Sequence, residues 1–352
     1  MGNNTIAVNK IPSLTWNWLK MNETDVQISD KENFRNEELV INVPEELEVM
    51  KESSDYMDDI AGGMGDEFVK EIHERADGTV CFSAGEGVTC EVPIVISGEY
   101  DCGCNTAQKF ALKTAPGSEI TVLMDFASEK GGNGQVMSQT VIDAGKNSTV
   151  RIVQINRLGE GFELFNDIAG VAGKEARIEI VHIFLGGSRT YQGCRINLLG
   201  DKSFVKEDIG YFLDNKQCLD MNYVVDHNGK KSESDIRVSG VMEGESEKLF
   251  RGTIDFKNGC AGSKGAETEE VILRDDEVIN KTIPVILCAE EDVEGSHGAT
   301  IGRLDEDLIF YMETRGFEEE EIYRLISKTK LIAFCDKIPD EDIRNKTMTF
   351  LS

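Results

Sequence analysis

The sequence predicts a mainly β protein, built as a right-handed parallel β-helix with two strands per coil. Glycine-centred turns recur at a nearly constant interval, and each period holds two short apolar stretches. An interval between about 20 and 50 residues is typical of a solenoid or array. The turn glycines, at positions 117, 145, 173, 200, 229 and 259, are separated by 28, 28, 27, 29 and 30 residues.

Within one period the apolar and charged residues alternate as they do in a half-buried strand. The run from Arg177 to Ile183 places Ile178, Ile180 and His182 on one face. A histidine on the inward phase is usually a hydrogen-bonded core residue, and this is the interpretation of His182. Regularly spaced strands also build sandwiches, but the constant interval favours the solenoid.

The regions that flank the array are expected to differ from it in structure. Residues 66–75 predict a helix with Asp66 as N-cap. The two tryptophans, Trp16 and Trp18, indicate either a docking segment or a terminal arm that packs on its own domain. The predicted units are an N-terminal mixed α/β cap (1–78), a β-helix core (79–302) and a C-terminal α-helical subdomain (303–352).

Three helices are expected in the C-terminal unit. The first follows Asp305 as N-cap and ends before Gly316, which suits a C′ position. The second begins at the acidic run 318–321, which the positive end of a helix dipole favours. The third starts near Pro339. Because the open ends of stacked coils invite aggregation, we expect the flanking segments to cap them.

Charge and composition exclude several classes of partner. The 37 Lys and Arg residues against 65 Asp and Glu give a net charge of −28, which repels nucleic acid and anionic membranes. No apolar run approaches the roughly 18 residues of a membrane span, and no signal peptide is evident. The nine cysteines include no C-x-x-C pair. We expect a cytoplasmic protein with free thiols, without nucleic-acid or membrane partners.

The familiar catalytic signatures are missing from the sequence. There is no G-x-x-x-x-G-K-[ST] loop and no G-x-G-x-x-G after a strand, so the chain has no evident nucleotide site of its own. No Ser-His-Asp or H-E-x-x-H pattern is present. A β-helix carbohydrate-active enzyme with paired carboxylates remains an alternative, and so does a metal-free interaction module.

The stretch from Glu294 to Gly302 surrounds one imidazole, that of His297, with small residues. Such a stretch is either a tight turn whose histidine caps a backbone group or a site for a metal or a partner. Glu294 lies close by, and Cys288 ends the preceding apolar run. Imidazole, carboxylate and thiolate together suit a borderline transition metal.

Residues Glu269 to Leu273, Ile283 to Ile286 and Gly295 to Gly302, with the helix ending in Arg315-Gly316, resemble the C-terminal signature of the SufB/SufD family of iron–sulfur cluster assembly proteins. The closest correspondence is S-H-G-A-T-x-G, and the chain resembles short SufD-like members. The resemblance implies a β-helix scaffold that is not itself an enzyme. It also implies an ABC-type ATPase partner, SufC, bound through the C-terminal helices.

By the same resemblance, a nascent and transient iron–sulfur cluster forms at a β-helix dimer interface, shared with a SufB-like subunit or a second copy, with a cysteine desulfurase system involved indirectly. His297 corresponds to the family histidine, whereas Gly295 replaces a cysteine common in SufD proteins and Glu269 stands where SufB proteins carry an essential cysteine. The candidate site residues are therefore His297, Glu294, Cys260, Cys288 and Glu269. The candidate docking residues are Leu304, Asp305, Leu308, Phe310, Tyr311, Arg315 and Gly316.

Overall fold

The computed structural model describes residues 4–13, 17–35, 37 and 39–351. Strands dominate, and the helices lie near the two ends of the described chain. Two single-turn 3₁₀ helices span Asn17–Leu19 and Lys31–Asn33. The strands are β1 (Asn4–Val8), β2 (Thr24–Ile28), β3 (Val40–Asn42), β4 (Leu47–Glu52), β5 (Thr79–Ala84), β6 (Ile94–Tyr100), β7 (Cys104–Thr114), β8 (Glu119–Ser128), β9 (Asn133–Ala144), β10 (Thr149–Arg157), β11 (Gly161–Ala172), β12 (Arg177–Phe184), β13 (Arg189–Leu198), β14 (Phe204–Leu213), β15 (Cys218–His227), β16 (Glu233–Met242), β17 (Glu247–Phe256), β18 (Ser263–Leu273), β19 (Ile279–Cys288) and β20 (Val293–Gly302), and the α-helices are α1 (Asp66–Arg75), α2 (Glu306–Glu313), α3 (Glu319–Cys335) and α4 (Glu341–Phe350).

Two nine-stranded sheets form the body of the molecule, which is a parallel β-solenoid of about eight turns. The β20 sheet has the order β20-β18-β16-β14-β12-β10-β8-β6-β3, and the β19 sheet has the order β19-β17-β15-β13-β11-β9-β7-β5-β4. From β5 to β20, each strand pairs in parallel with the strand one coil away, as Thr149 does with Arg177. This pairing confirms the predicted solenoid fold and rules out the sandwich.

Side chains of alternate residues fill the space between the two sheets. One continuous apolar cluster runs from Leu47 near the first coil to Val271 near the last. Phe126, Phe162 and Phe250 are among its fully buried members. Because a single coil cannot enclose these side chains, the column becomes a core only when coils are stacked.

The N-terminal segment covers the outer face of the β19 sheet. The antiparallel hairpin of β1 and β2, together with α1, packs Phe68 and Ile72 against Met137 and Phe165. Gly65, and not Asp66, is the N-cap of α1, so that expectation was wrong by one residue. The exposed fraction of Trp18 is 80%, whereas Trp16 lies outside the described residues.

One end of the solenoid is closed by antiparallel strands. β3 pairs with β6, and β4 pairs with β5, so the backbone groups of the first coil find partners. The β3 pairing joins Ile41 to Ile96, and the β4 pairing joins Met50 to Cys81. Because these backbone groups are paired, they are not available to form a sheet with another chain.

The C-terminal helices lie on the outer face of the β20 sheet. Leu331 and Phe334 of α3 join Val153 and Ile183 in one buried cluster. The ring of Phe334 approaches Gly210 so closely that a Cβ there would lie 2.6 Å from Cγ. None of the helices in the described chain is long and apolar enough to cross a membrane.

The expectation that the C-terminal helices would cap the open end was wrong. β19 and β20 each end their sheet, and the described residues provide no further strand beside either of them. The outer face of the middle strands carries apolar residues such as Leu123 and Val153, which the C-terminal helices shield from water. The last coil is left exposed.

A buried ionic network ties the N-terminal segment to the solenoid. The guanidinium of Arg251 is fully buried, pairs with Asp220 and donates from Nε to the Met21 carbonyl at 2.7 Å. Asp220 also accepts from Asn9 Nδ2 at 2.7 Å and from Thr24 Oγ1 at 2.6 Å. The network therefore couples three separate parts of the chain.

We expect Arg251→Met to lower the free energy of unfolding by about 3 to 5 kcal/mol, because it leaves the buried carboxylate of Asp220 without its counter-charge. Urea unfolding followed by circular dichroism measures this. Lys216→Ala, which removes an exposed pair with Glu245, is the matched control and should change stability by less than about 0.5 kcal/mol. Equal stability of the two variants would contradict a structural role for the network.

Candidate functional site

His297 lies in the middle of β20, the last strand of the β20 sheet. Every residue of β20 except its two terminal residues is exposed. The stretch from Glu294 to Gly302 is therefore an edge strand, and the alternative of a tight turn was wrong. The His297 imidazole has no hydrogen-bond partner among the described residues, so it is available to an external ligand.

The register of the β20 sheet identifies the neighbours of His297. It pairs with Glu267 of β18, while Ala299 pairs with Glu269. In β18 the odd-numbered residues from 263 to 271 are buried, and these form the inward phase. Since paired residues of parallel strands point to the same face, His297 belongs to the inward phase but has no further coil above it.

Glu269 is occupied by a structural ion pair. Its carboxylate pairs with Lys248, and both side chains are fully buried. Thr282 Oγ1 donates to Glu269 Oε2 at 2.8 Å and lies 2.9 Å from Lys248 Nζ. Burial lowers the pKa of Lys248, and the charge of Glu269 opposes this shift. The carboxylate of Glu269 is therefore committed to the ion pair with Lys248 and is not free to bind a metal.

Glu267 is the residue that sequence reasoning missed. Its side chain is buried, and burial followed by the charge of Glu269 raises its pKa to about 7, with Lys248 acting in the opposite direction. Its Oε2 packs so closely against Gly252 that a Cβ added to this glycine would lie 2.2 Å from it. The family resemblance pointed to Glu269 on the preceding strand, but the register pairs His297 with Glu267, 30 residues earlier in the chain.

Three other sequence candidates do not converge on His297. Glu294 belongs to the opposite face of β20, where it pairs with Lys264 at 3.0 Å. Cys260 is buried in the apolar core, and burial raises the pKa of its thiol. Cys288 is exposed at the end of β19, and its Sγ donates to the Glu290 carbonyl at 3.0 Å. Within the described residues, no group of three or more His, Cys, Asp and Glu side chains could hold a metal ion.

Polar groups also occupy the solenoid interior further from the open end. His182 is fully buried, with Nδ1 2.6 Å from Tyr223 Oη and Nε2 3.1 Å from Gln154 Oε1. The amide oxygen can only accept, so Nε2 donates to it and Nδ1 accepts from the tyrosine. Burial lowers the pKa of His182 to about 3. This confirms the interpretation of His182 as a hydrogen-bonded core residue.

A thiol and a carboxyl group meet in the same interior. Cys194 Sγ donates to Glu207 Oε1 at 3.1 Å, and both residues are fully buried. Burial raises the pKa of Glu207 to about 8. The second oxygen, Oε2, has no hydrogen-bond partner in the described structure. Glu207 is thus held protonated near neutral pH.

The candidate docking residues at α2 fall into two groups. Leu308, Phe310 and Tyr311 are exposed, and the exposed fraction of Phe310 is 67%. The other four residues cap α2 or fix its packing. Asp305 accepts hydrogen bonds from the backbone of Asp307 and Leu308, and Leu304 packs near Tyr323. The Arg315 guanidinium lies 5.1 Å from the centre of the Tyr311 ring, and Gly316 has a φ of 93°.

Comparison with known proteins decides the family. The model of the SUF system FeS cluster assembly SufBD core domain matches residues 100–329, which include β18, β20, α2 and most of α3. The chain belongs to the SufBD family. The resemblance drawn from the S-H-G-A-T stretch is thereby confirmed.

Individual SufBD relatives are distant. The iron–sulfur cluster assembly protein SufD of Bacillus subtilis is 24% identical over 238 residues, covering 66% of this chain and 54% of the relative. SufD of Escherichia coli is 23% identical over 249 residues, covering 69% and 58%. The chloroplastic SufBD family protein ABCI8 of Arabidopsis thaliana is 26% identical over 174 residues, covering 48% and 30%. The matched regions span at most about half to three-fifths of these relatives.

The raised pKa of Glu207 predicts a particular dependence of stability on pH. The folded protein keeps this proton up to a pH of about 8, whereas the unfolded chain releases it near 4.5. Between these values the folded state binds more protons, so rising pH lowers stability. We expect Glu207→Gln to remove this contribution and to flatten the decline between pH of about 5 and about 8, by at most about 1.4 kcal/mol per pH unit.

Urea unfolding at several pH values measures the effect. Glu48→Gln, at an exposed position of β4, is the matched control and should follow the wild-type profile. If the profile of Glu207→Gln also runs parallel to that of the wild type, Glu207 is not held protonated in the folded protein.

Proposed function

We propose that this protein is a scaffold subunit of the SUF iron–sulfur cluster assembly complex and that it acts in the cytoplasm without catalysing a reaction itself. The observation that carries the proposal is His297 on an unpaired edge strand of a SufBD-family solenoid. The names of its relatives, iron–sulfur cluster assembly protein SufD, support the same role.

The open edge at β20 is the proposed meeting place with a second β-helix subunit. From Gly295 to Gly302 the strand carries no Asp, Glu, Lys or Arg and is made mostly of small residues. An unpaired strand of this kind offers a row of backbone donors and acceptors to another chain. A SufB-like subunit, or a second copy of this chain, would continue the sheet there.

The nascent cluster would form at that interface as cargo passed on to other proteins. This chain offers an imidazole at the edge but too few grouped ligands to complete a site. The thiol of Cys260 is buried, the exposed thiol of Cys288 donates to the Glu290 carbonyl and lies away from His297, and Gly295 and Glu269 provide no thiolate. Cluster sulfur therefore enters through the partner subunit, supplied indirectly by a cysteine desulfurase system, because a carboxylate does not substitute for a thiolate in holding sulfide.

The exposed apolar side chains at α2 are the proposed docking surface for a SufC-like ABC ATPase. Leu308 and Tyr311 lie one turn apart on the same side of a short helix that buries no residue fully, and Phe310 is exposed next to Tyr311 in sequence. Exposed aromatic residues on a well-capped helix are typical anchors of a protein interface. Energy from nucleotide hydrolysis would come from that partner, since the sequence of this chain has no phosphate loop.

The carbohydrate-active enzyme is not favoured by any observation in the described structure. Glu207, Glu267 and Glu269 are buried between the sheets, where no polysaccharide could reach them. The metal-free interaction module is separated from the proposed function by the experiment on His297 below.

Replacement of Phe310 by Asp is expected to weaken ATPase binding at least about tenfold, because it removes the most exposed of the three apolar docking residues and puts a charge in its place. Co-expression with the SufC-like ATPase, followed by affinity capture and calorimetry, measures binding. Val92→Asp changes an exposed valine elsewhere and is the matched control that should bind normally. Tight binding by Phe310→Asp would place the ATPase on another surface.

His297→Ala is expected to reduce the iron and sulfide retained after anaerobic reconstitution of the complex by about tenfold, since the variant lacks the edge imidazole. Assembly with the ATPase should persist. Glu294→Gln changes the opposite face of the same strand and should retain cluster as the wild type does. Full cluster content in His297→Ala would favour the metal-free interaction module.

A further inference from the structure

We propose that Glu267 is the second metal-binding group of this chain, and that its carboxylate forms with the His297 imidazole a two-ligand half-site for a divalent transition metal such as ferrous iron. The inference rests on the proposed function, because it names a further residue of the same open-end site. Glu267 is identified by the sheet register, whereas Glu294, Cys260, Cys288 and Glu269 were candidates from the sequence and the family resemblance.

The first support is the position of Glu267 next to His297 in the sheet. Glu267 and His297 are partners in the parallel ladder of β18 and β20. Adjacent strands lie about 4.8 Å apart, and paired side chains point to the same face. An imidazole and a carboxylate extending side by side from neighbouring strands can reach one ion between them. Nitrogen and oxygen ligands of this kind suit ferrous iron.

The second support is the state of the carboxylate. The exposed fraction of Glu267 is 4%, and no described residue forms a hydrogen bond or a close ion pair with it, although its charge interacts with that of Lys248. Its oxygens are not among the fully buried side-chain atoms without a partner, so the carboxylate keeps some contact with solvent and can meet an ion. Glu269, two residues later, shows the contrast, since Lys248 and Thr282 satisfy it.

The third support is the absence of a hydrogen bond that fixes the side chain. Glu267 Oε2 occupies the space beside Gly252 that a Cβ would fill, and no hydrogen bond holds the carboxylate there. His297 is the neighbouring inward residue on the side of the open end. The last coil is the only layer of the described chain beyond Glu267 in this sheet.

Two ligands leave an ion open to further groups, and this agrees with the absence of a three-ligand cluster among the described residues. Glu294 cannot take part from this chain, because it points to the opposite face and pairs with Lys264. The remaining ligands would come from the subunit that pairs with β20. The half-site is therefore weak alone and is completed by assembly.

Cobalt(II) added to the purified full chain under anaerobic conditions is a suitable probe, read by its visible absorption and by calorimetry. We expect Glu267→Gln and His297→Ala each to weaken cobalt binding about tenfold or more. The double variant should lose little beyond either single variant, as expected for ligands of one ion. Glu294→Gln is the matched control and should bind as the wild type does.

A second variant protects the test against misfolding. Glu267→Cys should bind cobalt with a new thiolate-to-metal charge-transfer band, absent from Glu267→Gln and lost when His297 is also replaced by Ala. Wild-type affinity in Glu267→Gln, or no new band in Glu267→Cys, would overturn the inference. ATPase capture without added metal tests the proposed function separately, so failure of one is distinguishable from failure of the other.

Discussion

Lateral pairing of parallel strands between successive coils is the constraint on which the rest of the structure depends. Each strand gives its backbone donors and acceptors to the coils on both sides, and stacking also creates the interior column. The first coil is closed by the antiparallel strands β3 and β4. The last coil has no such closure among the described residues. The exposed edge at β20 is therefore a consequence of the same pairing that stabilises the fold, and it places His297 at the surface.

Much of the fold could be predicted from the sequence, because the turn glycines repeat with the coil. Alternation within strands also assigned His182 to the interior, where it is buried. The placement of the helices could not be predicted in this way. The apolar stripe of a helix such as α3 shows which of its residues are buried but not the surface against which they pack. The apolar outer face of the β20 sheet became evident only from the packing of Leu123, Val153 and Ile183.

The candidate site was predicted less completely than the fold. Motif resemblance found His297 and pointed to Glu269 on the preceding strand, whereas the register places Glu267 beside His297. Resemblance assigns a position along the chain, but the neighbour across the sheet depends on the register, and an even shift keeps the inward phase while changing the partner. Burial of a carboxylate is likewise invisible in a chain with 65 acidic residues.

The ionisable side chains buried in the solenoid affect how the open end could bind a metal. Burying Glu207, Lys248, Glu267 and Glu269 costs free energy, and hydrogen bonds or ion pairs offset that cost for three of them. Glu267 has the charge of Lys248 in its surroundings but no hydrogen bond or close ion pair, and it is the register partner of the edge histidine. A metal ion would provide a closer partner, and a paired subunit would exclude water from the same site and strengthen the interaction. Binding of metal and pairing of the β20 edge would therefore favour each other, because each removes a deficiency that the isolated chain leaves at its last coil.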